Sequence, residues 1–248
     1  MKARHSSRYL PGAIGLASLL ISSTALAEEP GFESLFNGTD LSGWDGNKAF
    51  WSVENGTIVG KTSETNQPAD KKNTFLIFRG DSFDDFELRF EYQVEGFNSG
   101  VQYRSIDTGH HHVKGLQADF EAQWHDGEVD RFSGMFFEEN GRMFMGQRGD
   151  VVIVRANSEN PNKPKLEKIA SVGDPAELEK AIKRSGWNEY TVVANGNQFT
   201  HIINGRVMSI GIDEDEIRSR KSGILAFQLH SGRPMKIQLR NIRIRRIK

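Results

Sequence analysis

The chain has 248 residues, with 32 lysines and arginines against 33 aspartates and glutamates, and its net charge of −1 offers no clustered positive field for nucleic acid. It contains no cysteine, which excludes disulfides, thiolate metal sites and a cysteine nucleophile. Glycine is frequent (25) and proline scarce (7), a balance that suits tight turns between strands.

Lys2, Arg4, His5 and Arg8 make a basic start, and the apolar run from Ala13 to Ser22 is too short to span a bilayer. Ala25-Leu26-Ala27 then supplies the small-x-small pattern of a signal-peptidase site. The expectation is a cleaved secretory signal over residues 1–27 and a single domain over 28–248. That domain would work in the periplasm or medium of a bacterium, and no later segment is apolar enough to cross a membrane.

Period-two alternation, the mark of strands with one buried face, dominates the body of the chain. Expected strands begin at 51–61, turned at Asn55-Gly56, followed by 74–78, 86–94, 101–104, 116–121 and 132–137. They continue at 151–154, 190–194, 198–203, 206–210, 224–230 and 235–244, with hairpin turns at Asn195-Gly196 and Asn204-Gly205. In the last strand Ile237 and Leu239 are followed by Ile242 and Ile244, a phase slip that predicts a bulge near Arg240-Asn241. The arginines of that basic tail read as protective charge on an edge strand. One helix is expected from the Asp174 cap and Pro175 to Gly186, and a second from Asp213 to Ser219. Residues 157–165 and the tract His110-His111-His112 read as loops, and Trp44, Trp51 and Trp187 as core. The expected fold class is all-β, a two-sheet antiparallel sandwich with one or two short helices.

Chemistry concentrates on strand faces. In residues 116–123, Leu116, Ala118, Phe120 and Ala122 alternate with Gln117, Asp119, Glu121 and Gln123, and such carboxylates and amides suit sugar hydroxyls. Alternation in 101–104 and 224–230 adds Gln102, Arg104, Gln228 and His230, if those strands share a sheet. The gathered face reads either as a site containing acid, base and cation or as an ordinary wet surface with salt bridges. Glu138-Glu139 with Arg142 forms a sugar-facing turn or a plain charged hairpin. Trp124 either stacks on a sugar ring or packs in the core.

The segments GFESLFNGTDLSGW (31–44), WSVENGTIVG (51–60) and FDDFELRFEYQVEGFNSGVQYRS (83–105) resemble the 3-keto-disaccharide hydrolase domain family. So do VKGLQADFEA (113–122), SGMFFEENGRM (133–143), residues 173–207 and SGILAFQLHSGRPMKIQLRNIRIRRI (222–247), nearly the whole chain after residue 30 and in order. The resemblance implies a concanavalin A-like jelly roll that binds sugar on its concave sheet. It implies cleavage of 3-keto-glycosides, carbohydrates already oxidised by a partner sugar 3-dehydrogenase. By position it carries the family's polar site onto Asn98, Tyr103-Arg104, Gln117, Asp119, Glu121, Glu138-Glu139, Arg142, Gln228 and His230. The chain departs from many relatives at Gly115-Leu116, where a tyrosine is usual in the second place, and at Phe136-Phe137 before the glutamates.

A ketone at carbon 3 acidifies the hydrogen on carbon 2, and the resulting enolate expels the group on carbon 1, after which hydration completes the cleavage. Such chemistry needs a base, a partner for the enolate oxygen and an acid for the leaving group. The expected assignment is Asp119 or Glu121 as base, Arg104 at the ketone oxygen, and His230 as acid or second base. Gln117, Gln228, Tyr103, Asn98, Glu138, Arg142 and Trp124 would bind substrate. A divalent cation held by Asp119, Glu121 and His230 could replace the arginine as electrophile, although this spacing is no diagnostic metal motif. Two rivals are a conventional glycoside hydrolase with paired carboxylates and a non-catalytic lectin module.

Overall fold

The computed structural model describes residues 29–121 and 131–247, so the expected signal segment and Trp124 lie outside the described residues. The chain opens with β1 (Glu33–Ser34), β2 (Trp44–Asp45), β3 (Trp51–Glu54) and β4 (Thr57–Lys61). A 3₁₀ turn at Ala69–Lys71 leads to β5 (Thr74–Phe78), β6 (Phe86–Glu95), β7 (Asn98–Gly109) and β8 (His112–Glu121). Then come β9 (Phe136–Glu139), β10 (Met143–Gly146), β11 (Asp150–Arg155), β12 (Lys165–Ser171) and the helix α1 (Pro175–Glu179). β13 (Asn188–Asn195), β14 (Gln198–Ile203), β15 (Arg206–Glu214), β16 (Ile224–Leu229) and β17 (Lys236–Arg246) complete the order. Among the described residues no helix is long and apolar enough to cross a membrane.

The strands form two sheets, as the alternation requires. One runs β12-β11-β15-β14-β13-β6-β17-β4-β3, with β1 also paired to β17; the other runs β10-β9-β8-β7-β16-β5-β2. Among the described strands only β11 and β15 pair in parallel. Phe86, Leu88, Phe90 and Tyr92 of β6 point into the core, where Phe90 stacks on Tyr190 with ring centroids 5.6 Å apart. Phe227 from the seven-stranded sheet meets Phe90 at 5.0 Å, and Phe120 meets Tyr92 at 4.5 Å. Each such aromatic pair adds about 0.5–1.5 kcal/mol beyond the area it buries. The architecture is an all-β jelly-roll sandwich of two sheets.

The β7–β8 hairpin is longer than its apolar pattern suggests. His110 and His111 form its two-residue turn with φ of 53° and 58°, and His112 already lies in β8, so the histidine tract is a tight turn and strand start. The bulge in β17 occurs where the phase slip places it, with Asn241 at φ 52° and the register shifting between Arg240 and Arg243. That strand is interior, however, lying between β6 and β4. Its arginines are matched by acids at its sides, Arg240 with Glu91, Arg243 with Glu189 and Arg245 with Glu87, so they neutralise neighbours in the sheet.

Other expectations fail for tertiary reasons. The helix after Asp174 stops at Glu179 because Asn188 and Asn204 bind the backbone of Lys183 and Ala181, groups a longer helix would need. No helix follows Asp213. β15 continues to Glu214, and the Asp215 carboxylate accepts the backbone N–H groups of Ile217 and Arg218 in a turn. The strand expected from Phe132 begins only at Phe136, since Gly134 bends the chain at φ 84°. β12 adds a strand that alternation does not predict, since every residue in it is exposed and neither face is buried. Trp44 and Trp51 are core residues, whereas Trp187 is half-buried beneath the Arg240 guanidinium, 4.0 Å from the ring centroid.

Between the sheets His201 is fully enclosed. Its Nδ1 donates to the Met135 carbonyl at 3.0 Å, so Nε2 accepts from the Tyr103 hydroxyl at 2.9 Å. Burial lowers its pKa to about 4, whereas an unfolded histidine protonates near its ordinary value of 6.5. Stability from His201 is therefore complete above pH 6.5 and is lost as pH falls through 4, by roughly 3 kcal/mol in all. Urea midpoints measured at pH 7, 6, 5 and 4 should show this fall, and His201→Gln should flatten it; equal slopes in the two proteins would remove His201 as its cause.

Candidate functional site

The seven-stranded sheet turns Leu116, Ala118 and Phe120 of β8 and Leu225, Phe227 and Leu229 of β16 toward the core. Gln117, Asp119, Gln102 and Gln228 consequently share the outer face, as the alternation predicts, yet all four are buried. Cross-strand register explains their meeting: Gln102 lies opposite Gln117, and Gly100 lies opposite Asp119. Gly100 leaves room for Gln117 to cross the strand, because a Cβ there would stand 2.6 Å from the Gln117 amide carbon. Gln102 and Gln228 both donate to Gln117 Oε1, and Gln117 donates in turn to the Asp119 carboxylate.

The chain of amides ends at Glu139, which the resemblance places in the polar site but to which the expected assignment gives no role. Gln228 Nε2 donates to Glu139 Oε2 at 3.2 Å, and Asn73 Nδ2 donates to Glu139 Oε1 at 3.3 Å. Glu139 pairs across β9 and β8 with Gly115, which puts it on the same face as Gln117. Burial raises its carboxyl pKa against those two amide bonds. Asn73 carried no signal in the sequence; it reaches the site because β5 lies beside β16.

His230 and Glu139 line one cleft of about 640 Å³ with Asn73, Lys71, Lys72 and His112. The His230 ring packs edge-on against Phe97 at 4.3 Å, and burial lowers its pKa. Its Nδ1 donates to the Ser231 carbonyl at 2.7 Å, which fixes the neutral tautomer with the lone pair on Nε2. Ser231 also donates its N–H to Asn73 Oδ1 at 3.1 Å and its hydroxyl to the Lys71 carbonyl at 2.7 Å. One residue thus aligns the imidazole, the amide that holds Glu139 and the rim of the cleft.

Several expected site residues are elsewhere. Arg104 sits in a β-bulge at φ 44°, and its side chain leaves the polar face. The guanidinium lies over Phe199 of the other sheet at 5.0 Å and donates to the carbonyls of Asp84, Gly196 and Arg220 and to Asp85. Tyr103 faces the core. Glu138 has the opposite parity to Glu139, and together with Asp213 and Asp215 it encloses Arg142. All four of those side chains are about 5% exposed or less, which makes them a structural ion cluster with no open face for a sugar.

Glu121 shares the parity of Asp119, but its Oε2 accepts the backbone N–H groups of Arg131 at 2.9 Å and Phe132 at 3.0 Å. It borders a different cleft, of about 340 Å³, beside Gln93, Glu179 and Lys183. Asn98 pairs opposite Glu121 at that end of the sheet, and among the described residues its buried Oδ1 has no partner. The metal set of Asp119, Glu121 and His230 is therefore divided, and among the described residues no three potential ligands of that kind gather at one point. Of the expected residues the structure joins Gln117, Asp119 and Gln228 in one network that reaches the cleft of His230.

The chain belongs to the 3-keto-alpha-glucoside-1,2-lyase-like domain family, whose model matches residues 31–245. Two solved proteins from Parabacteroides distasonis ATCC 8503, named provisionally as glycosyl hydrolases, share the fold. One is 17% identical with a TM-score of 0.57, covering 87% of this chain and 99% of its own; the other is 16% identical with a TM-score of 0.53, covering 88% and 94%. Among curated proteins none matches the chain.

Removing Arg142 would leave three buried carboxylates without their cation. Arg142→Met should destabilise the fold by about 3–5 kcal/mol in urea denaturation. A loss below 1 kcal/mol, with activity specifically lost, would return Arg142 to the substrate site.

Proposed function

We propose that the protein cleaves 3-keto-glycosides by removing the proton on carbon 2, and that the cleft of His230 and Glu139 is where it does so. The observation that carries this reading is a pair of titratable groups in one cleft whose pKa values burial drives in opposite directions, the imidazole down and the carboxyl up. Opposite shifts of this kind favour a neutral base and a protonated acid side by side. His230 Nε2 has the free lone pair and takes the carbon 2 proton. Asn73 keeps a second amide proton for the enolate oxygen, and Glu139 protonates the departing group on carbon 1. Gln117 and Gln228 hold Glu139 and Asp119 in register.

The base role expected of Asp119 or Glu121 moves to His230 in this reading. Glu121 is occupied by two backbone N–H groups, which also weakens the case for a conventional hydrolase built on the Asp119–Glu121 pair. A sugar 3-dehydrogenase supplying the keto substrate outside the cytoplasm remains the partner that this chemistry calls for. The family to which the chain belongs supports the same substrate class.

The test is to incubate the protein with a glucoside and with its 3-keto derivative, and with the latter deuterated at carbon 2. Cleavage of the keto compound alone, slowed by deuterium, is expected; turnover of the plain glucoside, or binding of either without turnover, would overturn the proposal. His230→Gln should lower kcat by about 10²–10⁴, the usual contribution of a general base. The wild-type profile should be bell-shaped, rising as His230 loses its proton below its ordinary 6.5 and falling as Glu139 loses its own above its ordinary 4.5. A Glu139→Gln profile that keeps the alkaline limb would exclude Glu139 as the acid.

A further inference from the structure

The same cleft has an unusual charge balance. Its rim carries Lys71, Lys72, His110 and His112, while the carboxylate among its lining residues is Glu139, buried and with a raised pKa. Several arginines elsewhere on this surface are matched, Arg79 with Asp45 and Asp107 and Arg155 with Glu167 and Glu214, whereas among the described lysines only Lys168 and Lys180 meet a carboxylate, Asp150 and Glu177. Among the described residues Lys71 and Lys72 are exposed and have no carboxylate partner.

The lysines are also held in place. Lys71 adopts φ 54°, a left-handed conformation that is costly for a side chain of this kind and persists only where the surroundings enforce it. Two clamps enforce it here: the Ser231 hydroxyl donates to the Lys71 carbonyl at 2.7 Å, and the Lys72 N–H donates to the Ala69 carbonyl at 3.2 Å. A third bond, from the Gly232 N–H to Gln67 Oε1 at 2.9 Å, staples the preceding residues to the segment that follows His230. The backbone that carries the two lysines is therefore registered to the imidazole through the residue that fixes its tautomer.

We infer that this rim selects glycosides bearing an anionic group, a carboxylate or an ester phosphate, on the part of the molecule remote from the ketone. The inference rests on the reading of the cleft as the site for 3-keto-glycosides and adds the class of substrate it prefers. Neutral sugar would occupy the floor beside His230 and Glu139, and the anion would meet Lys71 and Lys72 at the mouth. At an exposed rim such attraction is modest and screened by salt, with a Debye length of about 10 Å at 0.1 M.

Three 3-keto-glucosides that differ only at the para position of a phenyl aglycone provide the test: carboxylate, its isosteric carboxamide, and phosphate. At low ionic strength kcat/KM should be roughly tenfold higher for each anion than for the amide, and ~0.5 M sodium chloride should erase the difference. The carboxylate and phosphate arms separate the two sources of charge. The double variant Lys71→Gln/Lys72→Gln should bring all three compounds level. Equal kcat/KM for anion and amide in the unaltered protein, or a preference that survives the double substitution, would overturn the inference. Calorimetric binding of the unoxidised parent glucosides keeps the two readings apart. Tighter, lysine-dependent binding of the anions without turnover of any keto compound would uphold the anionic preference and reject the 3-keto chemistry, whereas turnover of all three at one rate would do the reverse.

Discussion

A buried amide or carboxylate on the outer face of a sheet is tolerated only when it is hydrogen-bonded, since an unsatisfied polar group costs about 1–3 kcal/mol. The chain of bonds from Asp119 through Gln117 and Gln228 to Glu139 and Asn73 gives each of these side chains a partner, although among the described residues the buried Oε1 atoms of Gln102 and Gln228 have none. Because each member is oriented by the next, the network acts as a rigid floor, and the cleft above it inherits that rigidity. The raised pKa of Glu139 follows from the same burial. A site built this way keeps its geometry without a disulfide to hold it.

Ser231 connects this floor to the rest of the cleft. Its carbonyl, N–H and hydroxyl engage His230, Asn73 and Lys71, three residues from two separate stretches of chain. The aromatic core below is responsible for bringing those stretches together: β5 and β16 are neighbours because their inward residues pack against the ten-stranded sheet. Packing energy in the core is thereby converted into positional precision at the surface. The ion cluster around Arg142 and the carbonyls gathered by Arg104 do similar work at other edges of the sandwich, tying loops to strands.

Much of the architecture was legible in the chain. Alternation from Phe86 to Val94 marks a strand with one buried face whatever its partners, and β6 is that strand. Asn55-Gly56, Asn204-Gly205 and the phase slip at Arg240-Asn241 are local signals, because they depend on φ preferences within two or three residues, and each appears where expected. Of the candidate site, Gln117, Asp119, Gln228 and His230 were reachable by the same parity argument. The helix after Asp174 was cut short and Asp213 drawn into a strand because distant side chains, Asn188 and Arg142, compete for those groups.

The amino-acid sequence by itself determined which residues of each strand face the core and where the tight turns fall, since these depend on side-chain period and local dihedral preference, while the family came from the resemblance of whole segments. Only the tertiary structure decided which of two adjacent glutamates faces the cleft, that a bulge carries Arg104 away from it, and that Asn73 and Ser231 complete it. The physical reason is register: a shift of one residue in β7 or β9 exchanges the two faces, and register is set by partners far away in the chain.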